Sequence, residues 1–196
     1  MNEDGADIWR RQANDIATDP RPWAFQAATL LGGATACSER YFAAAETLRA
    51  GNEPSSDLML LVPAQFLAAA AVELLLKAVA LRRRPELATT GQKPFYTRKL
   101  AEIAGQFTGI AFSDSELRLL DRLGTTIEWA GRYPIPRWDS EKQRTKYDVP
   151  THIVDGNVVI NAREIPNSVS EESWRETSLL IDRLRTAYRH SEVGGM

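Results

Sequence analysis

The sequence has one cysteine and two histidines, and this scarcity excludes several kinds of site. A single cysteine, Cys37, cannot form a disulfide framework or a cysteine-based zinc site. The two histidines, His152 and His190, lie far apart in the chain, which argues against a histidine metal site within one copy. We therefore expect neither a metal nor a cofactor.

The usual signatures of catalysis and export are also missing. The chain contains no glycine-rich phosphate loop, no HExxH and no G-x-S-x-G. Its first residues are polar and lack the apolar core of a signal peptide, so we expect a cytoplasmic protein. The formal net charge of −2 argues against a protein that coats nucleic acid through its overall field. Any contact with nucleic acid would need a local basic patch.

The most apolar part of the sequence is residues 58–84, which could in principle cross a membrane. Its strongly apolar residues contribute about −4 to −8 kcal/mol to insertion, but Glu73 and Lys77 together oppose it by about 5–7 kcal/mol. We therefore expect no membrane span, but the central helix of an all-helical bundle in water. Glu73 precedes Lys77 by four residues, which is the favourable order for an ion pair at the helix surface.

The remaining pattern predicts a mainly α protein, an up-and-down bundle of four to five helices. Residues 1–18 form a polar N-terminal arm, and residues 19–196 form a single helical-bundle domain. Asp19 followed by proline starts the first long helix, and Ser113 with Glu116 forms a capping box at the start of a later one. A small β-hairpin is expected as an insertion at about 151–161.

One group of basic residues follows the central helix and could bind phosphates. Its members are Arg82, Arg83, Arg84, Arg98 and Lys99. The simpler interpretation is that cations at a helix C-terminus answer its partial negative charge and stay solvated. Both interpretations remain open from the sequence.

Arg185 and His190, near the end of the chain, form the second candidate site. Their spacing resembles the Rx4–6H motif of metal-independent ribonucleases. Imidazole can exchange a proton with the 2′-hydroxyl or the leaving oxygen, and guanidinium can stabilise the charged transition state. Arg183 also satisfies the loose spacing, and a solvated basic helix end is the simpler alternative.

Three segments occur in order over about residues 22–137: FLAAAAVELLLKA from Phe66, Arg98-Lys99-Leu100-x-x-Ile103, and Trp129-Ala-Gly-Arg132-Tyr133-Pro134. Together they resemble the HEPN family (higher eukaryotes and prokaryotes nucleotide-binding). The resemblance implies a bundle of four to five helices that commonly forms a homodimer. It also implies a role in nucleotide or RNA biology, often in prokaryotic toxin–antitoxin or defence systems. In this interpretation Glu73, Lys77 and Arg132 have mostly architectural roles, and Arg132 and Tyr133 would also line a cleft and bind the ligand.

Three functions follow as hypotheses. The first is a HEPN-like binding module, homodimeric, for nucleotide or RNA or for a protein partner such as an antitoxin. The second is a metal-independent endoribonuclease that uses Arg185 and His190 across a dimer interface. The third is a structural interaction protein that pairs a partner strand with the hairpin edge. Whether the protein is an enzyme stays open at this point.

Overall fold

A computed structural model describes residues 18–88, 97–130, 151–154, 157–160 and 171–190. These residues form five α-helices and one pair of short strands, so the predicted mainly helical class is confirmed. Three predictions fall outside the described residues. They concern the N-terminal arm (of which only Thr18 is described), the Arg132-Tyr133 pair and the turn of the hairpin.

The elements are numbered here in chain order. The helices are α1 (Pro20–Arg49), α2 (Leu61–Arg83), α3 (Leu100–Phe107), α4 (Asp114–Ala130) and α5 (Glu171–His190). The strands are β1 (Thr151–Val154) and β2 (Asn157–Ile160), which pair antiparallel with Thr151 opposite Ile160. Two short 3₁₀ turns, Ser56–Leu60 and Pro85–Ala88, precede and follow α2.

Helix α1 has the boundaries that local sequence signals predict. The Asp19 carboxylate accepts a hydrogen bond of 2.9 Å from the Arg21 backbone N–H, and proline occupies the first helical turn. Gly51, just past the C-terminus, has a φ of 84°, a left-handed conformation that glycine adopts without strain. The predicted start and end of this helix are confirmed.

Helix α2 is the element around which the other helices pack. Helices α1, α3, α4 and α5 all contact it, and most of its side chains from Ala68 to Leu81 are buried. Pro63 lies in its first turn, where the missing N–H removes no helical hydrogen bond. By length and composition alone the helical stretch Ser56–Arg83 could cross a membrane, and 33% of its most apolar window is buried in the bundle.

The Glu73–Lys77 ion pair lies inside the bundle, so the expectation of a pair at its surface is wrong. The side chains of Lys77 and Glu73 are only 6% and 14% exposed. The Lys77 ammonium lies 5.8 Å from the centre of the Trp23 ring, a distance suited to a cation–π contact. The sequence shows the helical spacing but not that α1 covers this face of α2.

Helix α4 begins with the predicted capping box. The Glu116 backbone N–H donates to Ser113 Oγ (3.3 Å), and the Ser113 N–H donates to Glu116 Oε2 (2.8 Å). Two orphan backbone donors are therefore satisfied reciprocally, and this prediction is confirmed. The capped end also receives a contact from α5, described below.

Candidate functional site

Two of the three arginines that end α2 tie it to the end of α3. Arg83 Nη1 donates to the Thr108 carbonyl (2.8 Å), and Arg84 Nη1 donates to the Gln106 carbonyl (3.4 Å). These carbonyls belong to the C-terminal end of α3, where positive charge is favourable. Arg84 also pairs with Glu86 (3.0 Å). An architectural role therefore accounts for both arginines.

Arg82 points to a different helix. Its guanidinium carbon lies 4.4 Å from the centre of the Tyr188 ring. This cation–π contact joins the end of α2 to the last turn of α5. The predicted basic group is thereby divided, with Arg82 beside α5 and Arg83 and Arg84 beside α3. The three guanidinium groups do not converge on one ligand position.

Arg98 and Lys99 remain in solvent at the start of α3. The Thr97 hydroxyl accepts the Lys99 backbone N–H (3.2 Å). A Cβ added at Gly124 of α4 would lie 3.1 Å from the Arg98 carbonyl, so the backbone here is held close to α4. The backbone is fixed, whereas both basic side chains are accessible to a solution ligand.

A small groove lies between the first half of α1 and the last turn of α5. We call it the α1–α5 groove; its lining residues are Ala24, Ala28, Leu31, Leu75, Arg185, Tyr188 and Arg189. Alanine and leucine from α1 and α2 form an apolar floor, and α5 supplies two arginines and a tyrosine. Among the predicted site residues within the described ranges, only Arg185 lines this groove.

Helical geometry explains why α5 presents these three residues together. Arg185, Tyr188 and Arg189 are spaced i, i+3 and i+4, so they share one face of the helix. The Arg185 side chain is 46% exposed and its nearest carboxylate, Asp182, is 3.9 Å away. Arg189 is exposed and forms no ion pair with another described residue. Both guanidinium groups are therefore accessible to an anion.

His190 is exposed at the last position of α5. Along a helix, five residues correspond to a rotation of about 140° and a rise of about 7.5 Å relative to Arg185. Within one chain, the side chains of Arg185 and His190 therefore point to different sides of α5. The residue on the same side as Arg185 is Arg189. Sequence analysis missed Arg189 and Tyr188, although the spacing i, i+3, i+4 already contains the signal.

Arg183 has a structural partner in α4. Its guanidinium donates to the Glu116 carboxylate and to the Ala111 carbonyl, and lies 5.3 Å from the Phe112 ring centre. Partial burial by itself would raise the pKa of Glu116. The hydrogen bonds from Arg183 and Ser113 outweigh burial and hold that pKa below its ordinary value. Arg183 therefore fastens α5 to the capped start of α4.

Phe25 on α1 is 76% exposed. At about 100° per residue it lies about 90° around the helix from the face of Ala24, Ala28 and Leu31, which line the groove. Its ring is therefore accessible to solvent but does not line the groove.

Within the described ranges, no group of three or more histidine, cysteine, aspartate or glutamate residues could hold a metal ion. Cys37 is half-buried on α1. The chemistry available at the α1–α5 groove is therefore that of guanidinium and aromatic groups over an apolar floor.

The chain matches no family model, no curated protein and no solved structure.

Proposed function

We propose that the protein is a HEPN-like binding module that holds a nucleotide or single-stranded RNA in the α1–α5 groove. One observation carries the proposal: Arg185, Tyr188 and Arg189 share a helix face above an apolar floor. Guanidinium groups bind phosphate in a bidentate manner. An apolar floor and aromatic rings accept the flat faces of a base and its sugar.

The charge of the groove defines how RNA would bind. A strand of several nucleotides would extend beyond the groove, with one phosphate held by Arg185 and Arg189. The net charge of −2 supplies no long-range attraction, so binding depends on the two groove arginines. Such contacts release counterions and make the affinity fall steeply with salt.

The resemblance of α2 and its neighbours to HEPN domains supports the remaining parts of the proposal. They are an up-and-down bundle with a small hairpin, a homodimer, and action in the cytoplasm within a toxin–antitoxin or defence system. The protein would then bind RNA or nucleotide on one surface and a protein partner, such as an antitoxin, on another. The exposed side of Arg98 and Lys99 is available for that second contact.

The test is binding of a fluorescein-labelled single-stranded RNA, followed by anisotropy over a series of salt concentrations. Replacing Arg185 and Arg189 together with glutamate should weaken binding at least about tenfold and lower the salt slope by about 1.4, since each phosphate contact contributes about 0.7. The matched control is the Arg98→Glu/Lys99→Glu protein, which carries the same change in charge at another exposed site. We expect it to bind within about twofold of the unaltered protein.

Two results would contradict this proposal. One is a folded protein that shows no salt-dependent binding of RNA or of a nucleoside triphosphate. The other is equal loss of binding in the two charge-reversal proteins, because the groove would then have no special role.

A metal-independent endoribonuclease is the second candidate, since Arg185 and His190 are both accessible at the same end of α5. Because one helix directs them apart, the reactive pair would combine Arg185 of one copy with His190 of another. RNA cleavage in EDTA that is lost in both Arg185→Ala and His190→Ala would support the enzyme. Cleavage that survives either change would contradict it.

A further inference from the structure

Arg21 lies on the helix face of α1 that contributes to the α1–α5 groove. It stands three, seven and ten residues before Ala24, Ala28 and Leu31, and this spacing places all four residues on one side of the helix. The Arg21 side chain is 83% exposed. Its guanidinium is therefore accessible to a ligand at the start of α1, one turn before the first groove residue.

Electrostatics link Arg21 to the α5 side of the groove. Hydrogen bonds to Asp19 chiefly hold the pKa of the Arg21 guanidinium above its ordinary value. A smaller contribution in the same direction comes from the Coulombic attraction of Tyr188, which lines the groove. Because such an attraction weakens with distance, Arg21 lies near the part of the groove that Tyr188 lines.

Asp19 holds the Arg21 guanidinium in one orientation. Arg21 Nε donates to Asp19 Oδ1 (3.0 Å) and Oδ2 (2.9 Å), and Arg21 Nη2 donates to Oδ2 (2.7 Å). These bonds use two of the five N–H donors of the guanidinium and leave three for another partner. The side chain is therefore ordered without a ligand, which lowers the entropy cost of binding one.

The carboxylates paired with these arginines do not cancel the positive charge at the groove. Asp182 lies 3.9 Å from Arg185 and is 74% exposed, so solvent screens its charge. The charge of Asp19 is balanced by that of Arg21. Arg185 and Arg189 therefore leave an excess of positive charge, which attracts a dianion more strongly than a monoanion.

Two kinds of phosphate differ in what they offer to three guanidinium groups. An internal phosphodiester has two non-bridging oxygens and one negative charge. A terminal phosphate monoester has three such oxygens and a charge of about −1.5 to −2 at pH 7. Guanidinium groups bind phosphate oxygens in a bidentate manner. Only the monoester therefore presents an oxygen to each of three guanidinium groups.

We propose that the α1–α5 groove binds a terminal phosphate monoester in preference to an internal phosphodiester, and that Arg21 binds this phosphate together with Arg185 and Arg189. The monoester is the end of an RNA strand or the phosphate of a free nucleotide. This inference rests on the proposed function of the groove. It adds the class of phosphate that is recognised and a binding residue from α1.

The test is competition for the fluorescein-labelled RNA by unlabelled oligonucleotides of one sequence that carry a 5′-phosphate, a 3′-phosphate or hydroxyl groups at both ends. A strand with a terminal phosphate should compete at least about tenfold better than the hydroxyl-ended strand, because it gains charge-assisted hydrogen bonds. The two phosphorylated strands show which end enters the groove. Adenosine monophosphate, compared with adenosine, measures the same preference for a free nucleotide.

Replacing Arg21 with glutamine should reduce this preference to less than about threefold, because one of the three guanidinium groups is lost. Binding of the hydroxyl-ended strand should change by less than about twofold. The matched control is Arg175→Gln, since Arg175 is an exposed arginine of α5 that does not line the groove. The control should keep the full preference, and all three proteins should have the same far-UV circular dichroism.

Two results would overturn the inference while leaving the proposed function intact. The first is equal competition by phosphorylated and hydroxyl-ended strands whose binding is still lost in Arg185→Glu/Arg189→Glu. The second is a full preference in Arg21→Gln, because Arg21 would then not contact the phosphate. Failure of the proposed function gives a different result, since no strand would then bind.

Discussion

Replacing Glu73 with alanine is expected to lower the free energy of unfolding by about 3–5 kcal/mol. The Lys77 side chain is only 6% exposed, so removing its carboxylate partner leaves a charge buried without that partner. The contact of the ammonium with the Trp23 ring, at 5.8 Å, compensates only part of this loss. Urea unfolding followed by far-UV circular dichroism measures the change directly.

Two control proteins separate burial from charge. Replacing both members of the pair, as in Glu73→Leu/Lys77→Met, should leave stability near that of the unaltered protein or raise it by about 1–4 kcal/mol. Removing an exposed ion pair by Glu176→Ala should lower stability by less than about 1 kcal/mol. The exposed pair joins Glu176 and Arg122, whose side chains are about half exposed. Equal small effects of Glu73→Ala and Glu176→Ala would show that the α2 pair is solvated.

Replacing Leu184 with alanine is expected to lower the free energy of unfolding by about 2–5 kcal/mol. Leu184 is completely buried and belongs to the core cluster that α5 shares with α2 and α4. Its truncation leaves a cavity that the closely packed helices cannot fill. Urea unfolding provides the measurement, with Leu179→Ala as the control.

The control tests the orientation of α5. Leu179 is 62% exposed, so Leu179→Ala should change stability by no more than about 0.5 kcal/mol. If the effects of the two leucine substitutions were reversed, α5 would be rotated about its axis. Arg185 and Arg189 would then no longer face α1, and the α1–α5 groove would not exist.

Local signals made part of the fold predictable from the sequence. The start of α1 at Asp19, its end before Gly51, and the capping box of Ser113 and Glu116 each depend on residues within a few positions of one another. Such hydrogen bonds and backbone preferences depend only on neighbouring residues, so they can be recognised in the sequence. The position of α2 as the central helix followed from its nearly continuous apolar content.

Contacts between distant segments were not predictable in this way. Arg83 and Arg84 looked like cations at the end of their own helix, but they bind carbonyls of α3. The spacing of Lys77 predicted a surface residue, but in the structure its ammonium lies against the Trp23 ring of α1. In each case the deciding partner comes from another helix, whose position depends on the whole packing arrangement.

The candidate site shows the same division. The residues of α5 at the groove follow from helical spacing alone, and a motif based on the number of intervening residues selected His190 instead of Arg189. The apolar floor comes from α1 and α2, and no spacing within α5 indicates it. A site built from three helices requires the packed structure, whereas its charged face could have been found from the periodicity.

Hydrogen–deuterium exchange in detergent-free buffer tests most directly whether α2 is the buried helix of a bundle that is stable in water. We predict that the amides of residues 68–81 exchange only through global unfolding, and that those of residues 58–62, which are exposed or half-buried, exchange faster. Rapid exchange throughout residues 68–81 in water, with protection appearing only after lipid or detergent is added, would contradict this arrangement.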